Sequence, residues 1–163
     1  MCGLTGCWTE KTDSSLRANV QAMSQTLHHR GPDAGAIWVD ESQAIGLGHR
    51  RLKVIDLSEN GAQPMHSACN RYVLIFNGEI YNHQALRTEL EECKLAPTWR
   101  GHSDTEILLA GFVAWGVIAT LQRAVGMFSL ALWDKTERRL TLGRDRFGEK
   151  PLYYGWLGRG SCQ

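Results

Sequence analysis

Apolar positions along the chain fall into short strand-like runs and into stretches at helical spacing. Residues 2–8 form a brief apolar-leaning run that predicts a strand at the N-terminus. Asp13-Ser14-Ser15 is a cap signal, and Leu16, Val20, Met23 and Leu27 follow at steps of four, three and four. That spacing predicts an amphipathic helix ending near His28-His29, before Arg30-Gly31-Pro32-Asp33. Ala36 to Val39 and Ala44 to His49 read as strands separated by the polar Asp40 to Gln43, and Ser58 to Pro64 as a polar loop. Tyr72 to Phe76 is a continuous apolar strand, and Asn77-Gly78 predicts a turn that ends it.

The second half carries two predicted helices, His83 to Cys93 with Asn82 as a cap and Asp104 to Trp115 capped by Ser103. Residues 117–124 extend the second or form a short third. Met127 to Trp133 and Arg139 to Gly143 read as strands joined by Asp134-Lys135-Thr136-Glu137, and Leu152 to Trp156 as a last strand. There is no internal repeat and no interdomain linker. Helices and strands are clustered, with antiparallel hairpins at both ends, so the fold class is α+β rather than a doubly wound parallel sheet.

Composition narrows the functional classes. At 163 residues and 43% hydrophobic, the chain is long enough for one domain with a real core. Eighteen Lys+Arg against 17 Asp+Glu leave a formal charge of +1, which gives no electrostatic case for nucleic acid or an anionic membrane. No apolar run approaches the roughly 20 residues of a membrane span, and the N-terminus lacks the basic and apolar regions of a signal peptide. Cys2, Cys7, Cys69, Cys93 and Cys162 are odd in number and scattered, without a CxxC. They predict neither a disulfide framework nor a zinc site, and no other metal site is expected; a reducing cytoplasm is the expected compartment.

Four signals bear on chemistry. Loss of Met1 would leave Cys2 with a thiol and a free α-amine on one residue, a nucleophile carrying its own base. An Asn side chain with a neighbouring backbone N–H, as at Asn77-Gly78, builds an oxyanion hole. An arginine of the His49-Arg50-Arg51 run can clamp a carboxylate with a bidentate fork. Asp104, in Ser103-Asp104-Thr105-Glu106, can face a cationic group. Each has a plainer reading alone: a chance cysteine, a hairpin turn, a structural ion pair, a helix cap. Together they describe a pocket for a zwitterionic amino acid with a side-chain carbonyl to attack.

Met-Cys-Gly at the start, His29-Arg30-Gly31-Pro32-Asp33 and Gly48-His49-Arg50-Arg51-Leu52 resemble the glutaminase domain of class II glutamine amidotransferases, which are N-terminal-nucleophile hydrolases. Ile55-Asp56-Leu57-Ser58, Gly61-Ala62-Gln63-Pro64-Met65, Phe76 to Asn82, Ser103 to Glu106 and Arg144 to Tyr154 are similar to the asparagine-synthetase (glutamine-hydrolysing) branch. The resemblance runs from Cys2 to about Tyr154.

It implies a four-layer αββα sandwich of two antiparallel sheets. Residues 2–157 would form the glutaminase domain and 158–163 a tail, the domain being truncated at its C-terminus. Cys2 matches the nucleophile, Asn77 and Gly78 the oxyanion hole, and Arg51 rather than Arg50 the carboxylate clamp. Leu52, Lys53, Val54 and Ile55 would line the glutamine pocket, with Glu79 and Asp104 binding the substrate and Asp104 facing its ammonium. Arg30 to Asp33 reads as a turn packing near the site. The implied reaction converts L-glutamine and water to L-glutamate and ammonia through a thioester at Cys2. No cofactor is expected here; ATP and Mg would belong to a synthetase domain absent from this chain, whose acceptor site, as a domain or subunit, would be the partner. Two other readings stand beside this one: a non-catalytic interaction or regulatory remnant, and an N-terminal-nucleophile amidase acting on a different amide.

Overall fold

The computed structural model describes residues 2–10, 14–52 and 59–156. Three strands, β1 (Gly3–Trp8), β2 (Ala34–Asp40) and β3 (Ile45–Arg51), make one antiparallel sheet in the order β1-β3-β2. Four more, β4 (Met65–His66), β5 (Tyr72–Ile80), β6 (Gly126–Asp134) and β7 (Arg139–Arg144), make a second in sequence order. Helix α1 (Leu16–Thr26) packs on the first sheet through Leu16 and Val20. Helices α2 (His83–Glu92), α3 (Asp104–Ala114) and α4 (Val117–Arg123) cover the far face of the second. The result is the expected sandwich, helix on sheet on sheet on helices.

The period-two alternation of β5 builds two cores at once. Tyr72, Leu74 and Phe76 face the helices, with Leu86, Leu90, Leu108 and Phe112 among their neighbours. Val73 and Ile75 face the other sheet, where they meet Ile45, Leu47, Ala131 and Trp133. α3 is buried on all sides from Asp104 to Phe112, which explains why its sequence is apolar all round rather than striped.

The seam between the sheets changes character along the strands. At one end it is apolar, with Ile45, Val73 and Trp133 fully buried. Continuing by twos along the same faces, β3 presents His49 and Arg51, β5 presents Asn77 and Glu79, and β6 presents Ser129 and Met127. Cys2 stands on the corresponding face, just before β1, beyond Leu4. The sheets therefore bury hydrocarbon at one end and bring polar groups together at the other.

Three local expectations are corrected. Asn77-Gly78 is not a turn: β5 runs through it to Ile80, with Asn77 opposite Ser129 and Gly78 opposite Phe128. The partner strand comes from a distant part of the chain, so the dipeptide has no local hairpin to close. Leu152 to Trp156 forms no strand; it runs irregularly, with Tyr153 and Trp156 more than nine-tenths exposed. Apolar runs become strands only where a neighbour completes the ladder, and none does so among the described residues. Asn82 occupies the cap position of α2 without capping it, because its side chain donates to Arg123 O at 2.9 Å and accepts from Val125 N–H at 2.8 Å. The two-residue β4 lay within no predicted element.

Candidate active site

At the polar end of the seam lies a cavity of about 270 Å³, lined by Cys2, Arg51, Leu52, Asn77, Gly78, Glu79 and Asp104, with Gln63, Thr105 and Lys150 among the other walls. It brings together every predicted site residue within the described part of the chain. Lys53, Val54 and Ile55 lie outside the described residues.

Cys2 is half-buried and is held by the chain after β3. The Leu52 N–H donates to its sulfur at 3.5 Å, and the thiol faces the Leu52 carbonyl at 3.8 Å. The ladder sets this geometry, since Gly3 pairs with Arg50 and so seats Cys2 beside the end of β3.

Arg50 and Arg51 diverge because successive side chains of a strand leave opposite faces. Arg50 Nε donates to Gly31 O at 3.1 Å, away from the cavity. Arg51 is buried and enters the cavity wall, its guanidinium packed against Gly61. A Cβ at Gly61 would stand 2.2 Å from Arg51 Nη2, so the absence of a side chain there makes room for the cation. The turn preceding β2 braces this strand end, with Asp33 N–H donating to Arg51 O at 3.1 Å.

At the start of α3, Ser103 Oγ accepts the Glu106 N–H at 3.2 Å and caps the helix. Glu106 turns away and accepts the N–H groups of Arg100 and Gly101 at 2.9 and 3.0 Å. Asp104, in the first turn, points inward and accepts the Ile80 N–H at 2.9 Å. Burial pushes its carboxyl above the usual aspartate value, opposed by the hydrogen bonds from Ile80 and Thr105. A cationic ligand group would restore the lost solvation.

β5 supplies a further wall, from Phe76 to Glu79. Phe128 directs both its N–H and its C=O to Asp145, at 3.2 and 2.8 Å, so Gly78 and Phe128 form a non-hydrogen-bonded pair. The Gly78 N–H consequently points to the opposite edge of β5, where β4 has already ended. A Cβ on Gly78 would meet Met127 O at 2.2 Å, which only glycine avoids. Asn77 is buried yet makes no side-chain hydrogen bond among the described residues, leaving its amide for the cavity.

His49 is not a base in this arrangement. It is 1% exposed, Nε2 stands 3.2 Å from Phe76 O, and Nδ1 has no partner among the described residues. Bonding to the carbonyl requires the proton on Nε2, and burial holds its pKa down to about 4. His28 and His29 lie apart in a short turn after α1, and no group of three His, Cys, Asp or Glu side chains forms a metal site among the described residues.

A family model described as "Glutamine amidotransferase domain" matches residues 1–162. The chain belongs to this family. Asparagine synthetase [glutamine-hydrolyzing] 1 of Bacillus subtilis is 40% identical over 157 residues, covering 94% of this chain and 24% of the relative. Asparagine synthetase B [glutamine-hydrolyzing] of Escherichia coli is 40% identical over 157 residues, covering 96% and 27%. Amidase chry2 of Gibberella zeae is 39% identical over 165 residues, covering 94% and 24%. The chain thus spans about a quarter of the length of these curated relatives. Glutamine phosphoribosylpyrophosphate amidotransferase of B. subtilis, solved with ADP and GMP, superposes with a TM-score of 0.74 at 20% identity, over 96% of this chain and 40% of that one. It shares the fold, two antiparallel sheets packed between helices.

Within this glutamine amidotransferase domain, the sequence motifs left three polar wall residues without a role of their own. Gln63 was visible only as part of Gly61 to Met65, Thr105 as part of a helix cap, and Lys150 as part of the Arg144 to Tyr154 run. Asp145 brings Lys150 to the cavity. Its carboxylate accepts the N–H groups of Phe128, Phe147, Glu149 and Lys150 at 3.2, 3.1, 2.9 and 3.0 Å. Burial works to raise its pKa, yet these donors hold it down to about 2.

Proposed function

We propose that this domain hydrolyses L-glutamine to L-glutamate and ammonia at Cys2, and that it serves a synthetase acceptor domain or subunit of the kind its relatives carry. The observation that carries the reading is the charge layout of one cavity. A buried arginine from β3 and a buried aspartate from α3 line it together with a thiol and the open edge of β5. A free α-amino acid with a side-chain amide is complementary to all four: carboxylate to Arg51, ammonium to Asp104, amide carbon to Cys2, and amide oxygen to Asn77 and Gly78. Glu79, Leu52 and, in the segment beyond it, Lys53, Val54 and Ile55 complete the pocket in this reading.

Removal of Met1 frees the Cys2 α-amine, which takes the thiol proton as sulfur attacks the amide carbon. The tetrahedral oxyanion rests on the Asn77 side chain and the Gly78 N–H. The C–N bond then breaks, the amine passes its proton to the departing nitrogen, and ammonia leaves a γ-glutamyl thioester. Water adds to the thioester carbon, and collapse returns the sulfur to Cys2 and releases glutamate. None of these steps calls on a cofactor; ATP and Mg would serve the acceptor domain. No helix in the described residues is long and apolar enough to cross a membrane, and Cys2, Cys7, Cys69 and Cys93 are free thiols. Both fit residence in the cytoplasm.

Intact mass after incubation with 6-diazo-5-oxo-L-norleucine, a glutamine-mimicking alkylator, tests the reading. One adduct on the Met1-less chain, absent in Cys2→Ala, is the expected result. A folded, processed chain that takes no adduct and releases no ammonia from glutamine overturns it. Asparagine, one methylene shorter, should not be hydrolysed.

A further inference from the structure

β5 keeps its ladder with β6 to the end, but its other edge loses its neighbour after Leu74, where β4 stops. Phe76, Gly78 and Ile80 then turn their N–H groups to that bare edge. Side chains take the place of the missing strand at the two outer positions. Phe76 donates to Gln63 Oε1 at 2.6 Å, and Ile80 donates to Asp104 Oδ2 at 2.9 Å. The middle donor, Gly78 N–H, is the one directed to the cavity.

The two substitutes are themselves joined. Gln63 Nε2 donates to Thr105 Oγ1 at 3.3 Å, and Thr105 Oγ1 donates to Asp104 Oδ1 at 3.4 Å. All three side chains are buried. Donor chemistry fixes the direction of every link. The Gln63 oxygen can only accept, so its NH2 must face Thr105. The Thr105 hydroxyl, having accepted there, gives its one proton to the carboxylate. A single one-way chain thus runs from the Phe76 N–H to the carboxylate beside Ile80, bridging the segment that carries Gly78.

We propose that Gln63 and Thr105 are positioning residues of this site: they lock the bare edge of β5 so that the Gly78 N–H is held at the oxyanion position, in fixed relation to the carboxylate that takes the substrate ammonium. The inference rests on the glutaminase reading above and deepens it. A buried network satisfied at each member is rigid and specifies one geometry. A small displacement of a preorganised donor is felt in the transition state far more than in ground-state binding. The arrangement also couples recognition to chemistry, since an ammonium drawing on Asp104 acts through Thr105 and Gln63 on the Phe76 N–H, two residues before Gly78 on the same strand edge.

The test compares Gln63→Met, Thr105→Val and Thr105→Ser with wild type in the full chain. Misplaced geometry of this kind costs on the order of ten- to a hundredfold in kcat, with KM changed by less than about threefold. Thr105→Ser, which keeps the hydroxyl, should recover most of the rate, and Thr105→Val, close to isosteric, keeps the test valid if Gln63→Met folds poorly. Folded variants with wild-type kcat, or a raised KM at unchanged kcat, overturn the proposal. A second readout needs no turnover: in 15N-labelled protein, Gln63→Met should shift the amide signals of Gly78 and Ile80 as well as Phe76. An unchanged Ile80 signal would break the proposed link even in an active enzyme. Wild type without glutaminase activity counts against the functional reading, and the amide signals then decide the network separately.

Discussion

The Leu52 backbone holds the sulfur of Cys2, with its N–H donating at 3.5 Å and its carbonyl 3.8 Å away. The thiol at the N-terminal end of the sheet is thereby fixed by the strand end that also delivers Arg51.

Replacing the sulfur should separate binding from turnover. Cys2→Ala removes no core contact and is expected to keep the fold while lowering kcat by at least about a thousandfold. Glutamine should still raise the melting temperature of the variant, because Arg51 and Asp104 remain. A ligand-induced shift in differential scanning fluorimetry, next to an ammonia-release assay, checks both halves.

Gly61→Ala should harm recognition. The three atoms nearest the added Cβ would all belong to the Arg51 guanidinium. The guanidinium must shift to make room, and it then leaves the place where a substrate carboxylate would meet it. The expected result is a KM for glutamine raised on the order of tenfold, as measured by ammonia release. Gly78→Ala should act on the strand pair itself, because its Cβ would meet the Met127 carbonyl and Phe128 Cα, which cannot yield without opening the β5–β6 pair. Both stability and kcat should fall.

His49 ties stability to pH. Its pKa is held down from 6.5 to about 4 by burial, with Arg51 adding a smaller push in the same direction against the Phe76 hydrogen bond. Between those values the unfolded chain binds more protons than the folded one, so stability rises with pH. The contribution is complete above the unfolded pKa and is lost as pH falls toward 4, amounting to roughly 3 kcal/mol. His49→Gln can still donate to Phe76 O and should flatten this part of the profile, as measured by urea midpoints between about pH 7 and 4.5.

Asp145 controls a separate, more acidic range. Its pKa is depressed from 3.8 to about 2 by the four backbone donors it accepts. Stability from this source is present above 3.8 and lost as pH falls through about 2. Asp145→Ala leaves those N–H groups without their acceptor and releases the turn that carries Lys150. A lower melting temperature at neutral pH and loss of the most acidic part of the pH profile are expected.

How far the sequence reveals the molecule depends on where each interaction closes. The helix at Leu16 to Thr26 is legible because Leu16, Val20, Met23 and the cap residue Leu27 lie within a few turns of each other. Arg51 was separable from Arg50 only through the motif, yet strand alternation gives the same division once the strand is known. Asn77-Gly78 misleads in the other direction: its local chemistry indicates a turn, while its position is set by β6, some fifty residues later. Gln63 carries no signal of its own, since its partners Phe76 and Thr105 are brought to it only by the folded sheet and helix. Local pattern thus finds elements and motifs, and misses contacts made between side chain and distant backbone.

The seam between the sheets works like the two covers of a book, with Trp133 and Val73 near the spine and Asn77, Arg51 and Cys2 at the open edge. The aperture of the cavity is then set by how thick the spine is, not only by the residues that line it. A methyl group gained or lost at Ala131 or Val73, out of reach of any substrate, would tilt one sheet against the other. The separation between sulfur and strand edge would change with it. Selection for substrate size can therefore act through ordinary core residues, and changes in selectivity among relatives should be sought at this hinge as much as at the mouth.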